Sequence, residues 1–339
     1  MKMNQPKQRK IHDIITERLA ACNAAGRLSL NVGIYGHVLS DGDCIGAATA
    51  LAAYLENNYA NIKTHIFLDH FKAEFAEVIP MIKMGRVEYE EPDNNCYFDI
   101  SFVLDCAGTD RIAADSQAIE RADYLVCIDH HLSNVGFGDE WYVNPDASSA
   151  CEFLFSFFES EKMDSVIADS LLTGIVHDTG AFTNANVTKQ TMETVGALID
   201  AGGHLMEVVN KTFVNQSLIQ QKAMGLALSK LQASCNGKIV YTYISTDEMK
   251  AIGAKVSDLD AIVDRVKRTG GAVCAMFAYP KGGGEWKFSL RSDGSVNVSE
   301  IALAYGGGGH FRAAGFQITG DFEELQKIIL QELSDKIGQ

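Results

Sequence analysis

The sequence predicts an α/β protein with an N-terminal parallel sheet and a smaller C-terminal α/β domain. In the first 130 residues, short apolar runs rich in β-branched residues alternate with stretches of helical periodicity, as in a parallel sheet with right-handed crossovers. From Lys238 onwards, strands and turns dominate, which is typical of a separate small domain. The chain has 339 residues, of which 47% are hydrophobic, and this is enough for two domains with their own cores.

The N-terminal part begins with an amphipathic helix over 8–26 that stops at Gly26. The strands predicted after it span 31–35, 63–68, 98–104 and 123–129. The helices predicted after it span 45–57, 71–81, 114–121, 150–161, 164–176 and 188–201. Each of the first strands is followed by a helix, so the strands are expected to lie parallel.

A long helical stretch at 215–234 is predicted to link the two domains, which gives domains of 1–214 and 235–339. The strands predicted in the second domain span 239–244, 271–279, 285–290 and 315–318. Its helices are predicted at 257–267, 299–305 and 322–337.

The charge is unevenly distributed along the chain. The net charge of −15 argues against a long, nonspecific nucleic-acid track, which needs many cations to bind phosphates. Residues 1–234 contain 17 Lys and Arg against 31 Asp and Glu, whereas residues 235–339 contain 12 against 13. The basic residues of one short segment are Arg265, Lys267, Arg268, Lys281, Lys287 and Arg291. The acidic first domain is suited to binding a metal, and the locally basic second domain is suited to binding a phosphate. Chance clustering on a solvated face is the alternative.

The sequence also favours a cytoplasmic location without membrane association. Eight cysteines are scattered with no C-x-x-C pair, and several lie in apolar runs, as reduced core cysteines do. No run of 18 apolar residues is present, and the polar N-terminus lacks the apolar region of a secretory signal.

Acidic and histidine side chains follow several of the predicted apolar segments. The run from Tyr124 ends in Asp129, His130 and His131, and Asp105 directly follows another apolar strand. Because ligands collect beyond the carboxyl ends of strands in open α/β sheets, these side chains are expected to lie together. Two adjacent histidines that simply face solvent are the alternative.

Two further segments repeat this arrangement. His37, Asp41 and Asp43 lie between a strand and a helix, although either aspartate could instead cap that helix. Asp178 ends an apolar segment and is expected in a turn bounded by Gly174 and Gly180. Two metals that share a carboxylate need about six protein ligands. The candidate ligands are His37, Asp41, Asp43, Asp105, His130 and Asp178. With no cysteine among them, Mn²⁺ or Mg²⁺ fits better than a structural zinc.

The C-terminal domain carries a candidate anion site. Arg291 can form two parallel hydrogen bonds to a phosphate or carboxylate. The four glycines at 306–309 are poor helix and strand formers, and their N–H groups could form an anion-binding nest beside His310. A flexible glycine loop is the alternative.

Together these motifs resemble the DHH-family phosphoesterases with a DHHA1 domain, and among them the nanoRNase/pAp-phosphatase subgroup of bifunctional oligoribonucleases and PAP phosphatases. The matching motifs of the first domain are His37–Asp43 with Gly46, Val103–Asp105, Asp129–His131 and Gly174–Gly180. Those of the second are Arg291, Gly306–His310 and Ala313–Gly315. Two positions depart from the family pattern: Ser40 stands where many relatives have proline, and His177 stands where a small residue is more usual.

The resemblance implies two Mn²⁺ ions, with Mg²⁺ as a possible substitute. It implies one metal bound by His37, Asp41 and Asp105. It implies a second metal bound by Asp43, Asp105, His130 and Asp178, so that Asp105 bridges the two. His131 would bind the scissile phosphate or assist the leaving oxygen, and Asp129 would orient an imidazole. The DHHA1 domain would close over the site and bind a terminal phosphate or base. Its residues for this are Arg291, Gly307, Gly308, Gly309 and His310.

The implied reactions are the release of 5′-mononucleotides from short RNA oligonucleotides and the dephosphorylation of 3′-phosphoadenosine 5′-phosphate (pAp) to AMP. A phosphodiesterase for cyclic di-AMP or its linear product pApA is the alternative within the family. By fold a pyrophosphatase is also conceivable, but that branch has a Lys/Arg-based C-terminal signature in place of the glycine run. A binding protein without catalysis would be expected to lack a metal ligand, and all six are present. A homodimer is expected from the resemblance alone.

Overall fold

The protein is described by a computed structural model for residues 7–71, 73–88, 97–113, 119 and 121–337. The chain forms two compact units, Met1–Asn215 and Gln216–Gln339. In the described residues no helix is both long and apolar enough to cross a membrane.

The first unit is built on a six-stranded parallel sheet, as the sequence predicts. Its strands are β1 (Leu30–Tyr35), β2 (Ile62–Phe67), β3 (Val87–Glu88), β4 (Ile100–Leu104), β5 (Leu125–Asp129) and β6 (Glu140–Val143). The strand order is β3-β2-β1-β4-β5-β6, and every neighbouring pair is parallel. Every residue of β4 is buried, as expected of a central strand covered on both faces.

The helices of this unit pack against the sheet and against one another. They are α1 (Ile11–Ala24), α2 (Gly42–Asn58), α3 (Ala73–Ala76), α4 (Pro80–Lys83), α5 (Ala150–Phe155), α6 (Ser165–Asp178), α7 (Lys189–Asp200) and α8 (Leu205–Val209). Helices α2 and α6 approach closely because glycines lie where they meet. A Cβ atom on Gly46 would lie 2.4 Å from the carbonyl oxygen of Ser170. The residues at the start of α2 and the end of α6 are thereby brought together.

Several predicted boundaries of the first unit are corrected by the structure. The helix predicted at 71–81 is two short helices, and the second begins at Pro80, which cannot donate a backbone hydrogen bond. The predicted strand at 98–104 begins at Ile100, and strands β3 and β6 were not predicted. Most of the predicted helix at 114–121 lies outside the described residues.

The second unit contains a mixed six-stranded sheet. Its strands are β7 (Gln232–Ser234), β8 (Ile239–Tyr243), β9 (Cys274–Gly282), β10 (Glu285–Ser292), β11 (Gly308–His310) and β12 (Ala313–Thr319), in the order β11-β12-β10-β9-β8-β7. Its helices are α9 (Leu218–Ser229), α10 (Thr246–Ile252), α11 (Ile262–Lys267), α12 (Val298–Ala304) and α13 (Phe322–Ile337). One face of the sheet packs through Phe288 and Phe316 into a core with α12 and α13. The other face packs through Phe277 against α9 and α11.

Helix α9 lies in the stretch predicted as a linker. It buries Ala223 and Ala227 in the core of the second unit, with Val240 and Phe277. This helix is therefore part of the C-terminal fold.

The glycine run at 306–309 is more ordered than the sequence suggests. The Gly306 N–H donates to Leu303 O and the Gly307 N–H donates to Ala302 O, which closes the end of α12. Gly308 and Gly309 lie in β11, paired with β12. The prediction of a nest of free N–H groups is therefore wrong for Gly306 and Gly307, because their donors satisfy helix carbonyls.

Candidate metal centre

The candidate ligands of the first unit converge at one edge of its sheet. His37, Asp105 and His130 follow the carboxyl ends of β1, β4 and β5, which are neighbours in the sheet. Asp43 lies in the first turn of α2, and Asp178 is the last residue of α6. Asp178 therefore lies on a helix and not in the predicted turn.

The loop between β1 and α2 positions His37 and Asp41. The Nδ1 atom of His37 lies 2.8 Å from Val38 O, so Nδ1 donates to this carbonyl and Nε2 faces the carboxylates of the site. Its Nε2 lies 3.4 Å from Asp105 Oδ2 and 3.7 Å from Asp41 Oδ1. Burial alone would lower the pKa of His37, but these two carboxylates raise it to about 11.

Asp41 is also the N-cap of α2. Its Oδ1 accepts hydrogen bonds from the backbone N–H groups of Asp43 and Cys44, at 3.0 and 3.2 Å. Asp41 therefore caps this helix, as the alternative interpretation predicted. The same carboxylate still lies beside His37, so the cap fixes it at the edge of the site.

Asp43 is buried and held by a second helix. Its Oδ2 and Oδ1 accept from the N–H groups of Ala150 and Cys151, at 2.5 and 2.9 Å, at the start of α5. Gly174 leaves room for this carboxylate, because a Cβ atom there would lie 2.5 Å from Asp43 Oδ1. Burial, and then the charge of Asp178, raises the pKa of Asp43 to about 6.

Asp105 lies at the centre of the cluster. It has a positive φ of 54°, which aspartate tolerates better than bulky residues do. Its Oδ1 lies 3.5 Å from both His130 Nε2 and His131 Nδ1, yet this buried atom has no hydrogen-bond partner. Burial, and then the charge of Asp43, raises the pKa of Asp105 well above its usual range.

The two adjacent histidines have different surroundings. His130 Nε2 lies 3.3 Å from Asp178 Oδ2 and 3.7 Å from Asp43 Oδ2. The Nδ1 of His131 lies 2.8 Å from Asp129 Oδ1, and its side chain is 39% exposed. This arrangement makes Nε2 of His131 available to a substrate. The other oxygen of Asp129 accepts from Asn134 Nδ2 at 2.8 Å, so both of its oxygens are engaged, and Asp129 orients His131.

His177 lies between two of the candidate ligands. Its Nδ1 is 3.1 Å from Asp178 Oδ1 and 3.9 Å from Asp41 Oδ2, and its ring meets Phe75 edge-on. Gly42 makes room for it, since a Cβ atom there would lie 2.6 Å from the Cβ of His177. His177 thus joins the two helices that bear Asp41 and Asp178.

The structure also adds groups to the site that the sequence pattern did not reveal. The sulfur of Cys44 lies within 4.8 Å of ligand atoms of His37 and Asp105, whereas no cysteine was expected there. Burial raises the pKa of Cys44 well above its usual range. The N–H groups of Ala150 and Cys151 hold Asp43 from 107 and 108 positions away, a pairing with no local sequence signal.

The donor set fits divalent cations. Three groups of nearby acids and histidines could each hold an ion, and they are Asp105–His130–His131, Asp43–His130–Asp178 and Asp41–His177–Asp178. Burial and the charge of neighbouring carboxylates raise the pKa values of Asp43 and Asp105, and a divalent cation would favour their ionised forms. The buried Oδ1 of Asp105 has an open acceptor at the place where such an ion would bind.

In the second unit, Arg291 is already engaged. Its Nε and Nη2 donate to the two carboxylate oxygens of Asp264, at 2.6 and 3.4 Å, and its Nη1 donates to Leu290 O at 3.1 Å. A guanidinium has five N–H donors, so two remain for an anion. Gly307, Gly308 and Gly309 lie near β12, as described above, and only the backbone of His310 is described.

Comparison with known proteins identifies both units. A family model for the N-terminal domain of the DHH family matches residues 31–175, and a model for the DHHA1 domain matches residues 236–335.

The similar proteins include a bifunctional oligoribonuclease and PAP phosphatase NrnA from Thermus thermophilus, 27% identical over 89% of this chain and 88% of that protein. A cyclic-di-AMP phosphodiesterase GdpP from Geobacillus thermodenitrificans is 24% identical over 84% of this chain but only 44% of that protein. The crystal structure of an exopolyphosphatase-related protein from Bacteroides fragilis superposes with a TM-score of 0.79, covering 95% of this chain and 96% of that one at 21% identity. This last likeness shows the fold alone.

Proposed function

Because the chain belongs to the DHH family, with an N-terminal DHH domain followed by a DHHA1 domain, we propose that it is a metal-dependent phosphoesterase. Its proposed substrates are short RNA oligonucleotides, which it degrades to 5′-mononucleotides, and pAp, which it dephosphorylates to AMP. The observation that carries the proposal is the convergence of four aspartates and two histidines around the unpaired Oδ1 of Asp105. Similarity to NrnA supports the choice of substrates.

The proposed ligands divide into two sets that share Asp105. One set is His37, Asp41 and Asp105, and the other is Asp43, Asp105, His130 and Asp178. Two Mn²⁺ ions bound there, or Mg²⁺, would polarise the phosphoryl group and lower the pKa of a bound water. The backbone N–H groups of α5 hold Asp43, and the cap of α2 holds Asp41, so these carboxylates are placed before a ligand arrives.

His131 is the proposed substrate-facing residue. Asp129 fixes its Nδ1, which leaves Nε2 to bind a phosphate oxygen or to donate a proton to the leaving oxygen. The bond to Asp129 raises the pKa of His131 more than burial lowers it, which favours the protonated form that such a donor needs. In the DHHA1 domain, Arg291 offers its two remaining N–H donors to a second anionic group of the substrate. We also propose that Gly308, Gly309 and His310 contact the substrate, whereas the N–H of Gly307 is used to end α12.

A panel of substrates with Mn²⁺ tests this function. The purified protein should degrade RNA from two nucleotides upwards, faster for short than for long chains, and should convert pAp to AMP. Absence of hydrolysis across the panel, with Mn²⁺ bound, would contradict the proposal. The similarity to GdpP favours a second candidate, a phosphodiesterase for cyclic di-AMP or pApA. A much higher rate on cyclic di-AMP than on linear RNA and pAp would establish that alternative.

A further inference from the structure

Asp178 is the proposed metal ligand that receives least support from its own helix. It is the last residue of α6, and the carboxyl end of a helix carries a partial negative charge, which disfavours a carboxylate. Asp41 and Asp43, in contrast, are held by backbone N–H groups at the starts of α2 and α5. The Asp178 carboxylate therefore needs a donor from another side chain.

His177 supplies that donor. Its Nδ1 lies 3.1 Å from Asp178 Oδ1, and because an ionised carboxylate can only accept, Nδ1 carries the proton and donates. Within the described ranges, this is the one hydrogen bond that the Asp178 carboxylate accepts. The side chains of Asn184 and Asn186 donate instead to the backbone carbonyl of Asp178, at 3.1 and 3.2 Å. The orientation of this carboxylate thus depends on His177.

The His177 ring is itself confined. Phe75, which belongs to the buried core of the first unit, meets the ring edge-on with the ring centroids 5.7 Å apart. A Cβ atom on Gly42 would lie 2.8 Å from the Cγ of His177, so the glycine is what lets the imidazole lie against the start of α2. A ring packed in this way is oriented before a metal arrives and loses little further conformational freedom when the metal binds.

The hydrogen bond from His177 determines which oxygen of Asp178 faces the other candidate ligands. With Oδ1 engaged, Oδ2 is the oxygen that lies 3.3 Å from His130 Nε2. Because the donating Nδ1 has no lone pair to offer a cation, His177 acts on the metal through Asp178. Its Nδ1 lies 3.9 Å from Asp41 Oδ2, which is too far for a hydrogen bond, so the effect is directed to Asp178.

We infer that His177 is a positioning residue that holds Asp178 with Oδ2 towards a divalent cation, and so strengthens one of the two proposed metal sites. That site consists of Asp43, Asp105, His130 and Asp178. This inference rests on the proposed metal-dependent function and deepens it, because it names a residue outside the ligand sets that sets the affinity for the metal. Hydrogen bonds that orient metal ligands typically contribute about 10- to 100-fold to metal affinity.

Calorimetric titration of the whole protein with Mn²⁺ tests this role without a substrate. In His177→Leu, which removes the donor, one of two Mn²⁺ sites should weaken by about 10- to 100-fold. The number of ions bound at saturation should not change, since no ligand is lost. In His177→Asn, whose side-chain N–H group can take the place of Nδ1, most of the affinity should be retained. His204→Leu is the matched control: Nδ1 of His204 likewise lies 3.0 Å from a carboxylate oxygen, Asp169 Oδ2, but this histidine is exposed, and the variant should bind Mn²⁺ as the wild-type protein does.

Three results would overturn the role of His177. They are an unchanged Mn²⁺ affinity in His177→Leu, an equal weakening in His177→Asn and His177→Leu, and the loss of a bound ion at saturation, which would make His177 itself a ligand. Failure of the proposed function is a separate result. If no RNA, pAp or cyclic dinucleotide is hydrolysed while the Mn²⁺ affinities follow the expected order, the function fails and the role of His177 stands. Far-UV circular dichroism verifies the fold of each variant, and His177→Ala replaces His177→Leu if the latter does not fold.

Discussion

The first unit buries a cluster of acidic side chains, whereas the second unit places basic side chains along one partly exposed strand. In the first, aspartates and histidines from separate segments are buried together beyond the ends of β1, β4 and β5, and helix termini fix two of the carboxylates. In the second, Lys287 and Arg291 lie along one strand on a partly exposed face, beside glycines that leave the surface flat. The first arrangement suits metal ions, which need several converging ligands. The second suits an extended anion.

The difference predicts different sensitivities to mutation. A buried site fails when one shared ligand is lost, because the remaining carboxylates repel one another without a cation between them. Along the partly exposed strand, each cation contributes separately, so losses should be partial and should depend on the substrate. Substitutions in each unit therefore test whether the first unit carries out the reaction and the second unit recognises the substrate.

The largest effect is expected at the centre of the first unit. Asp105→Ala or His130→Ala should lower the Mn²⁺-dependent kcat by at least about a thousandfold, since metal ions supply several kcal/mol of transition-state stabilisation. Titration calorimetry should show that each variant binds Mn²⁺ more weakly or with fewer sites. Asp110→Asn, which changes an exposed aspartate five positions after Asp105, is the control and should keep both properties. Unchanged turnover in Asp105→Ala and His130→Ala would remove them from the metal centre.

A smaller and substrate-dependent effect is expected at Arg291. Arg291→Ala should raise KM for short RNA by about 10- to 100-fold, the range of charged hydrogen bonds, while hydrolysis of a simple aryl phosphate ester changes little. Arg265→Ala, which removes an exposed arginine from the neighbouring α11, should leave both substrates unaffected. Equal losses of Arg291→Ala on both substrates would mean that Arg291 does not bind the nucleotide part, and the division between the two regions would break down.

The sequence was most informative where strands end. Asp105 and His130 could be placed together because the carboxyl ends of neighbouring parallel strands meet at one edge of the sheet. The parallel sheet itself and the DHH and DHHA1 domains are confirmed. Local pattern was enough for these features because each depends on an apolar run followed by a polar residue.

Features that depend on tertiary contacts could not be predicted. The hydrogen bond from the start of α5 to Asp43 joins segments more than 100 residues apart. The short distance between Cys44 and Asp105 depends on the tertiary position of the first turn of α2. The glycine run was misjudged because composition cannot tell whether N–H groups are free or are used to end a helix and pair a strand. Strand β6 was missed since it has four residues and begins with a charged one, Glu140.

The smallest expected effect is a loss of stability on substitution of Glu140, which lies in the sheet that supports the buried site. Glu140 is buried and accepts hydrogen bonds from Tyr142, from Tyr124 at 2.7 Å and from Arg9 at 2.5 Å. Glu140→Gln should therefore reduce the free energy of unfolding of the first unit by about 1–3 kcal/mol at pH 7. Arg9 also pairs with the exposed Glu17, so Glu17→Gln is the matched control and should cost less than about 1 kcal/mol.

The pH dependence of this effect has a definite sign. Burial alone would raise the pKa of Glu140, but the bonds from Tyr142 and Tyr124 and the charge of Arg9 lower it. A carboxyl whose pKa is lowered by folding stabilises the protein above its unfolded value of about 4.3, and this contribution is lost as the pH falls through the folded value. The sequence has two tryptophans, Trp141 in the first unit and Trp286 in the second. In a Trp286→Phe background only Trp141 remains, so its fluorescence during urea unfolding reports on the first unit. The stability gap between the protein with its native glutamate and the Glu140→Gln variant should be constant from about pH 6 to 8 and should close as the pH falls below about 4. A gap that persists unchanged at low pH would show that packing around this side chain, and not its charge, stabilises the edge of the parallel sheet.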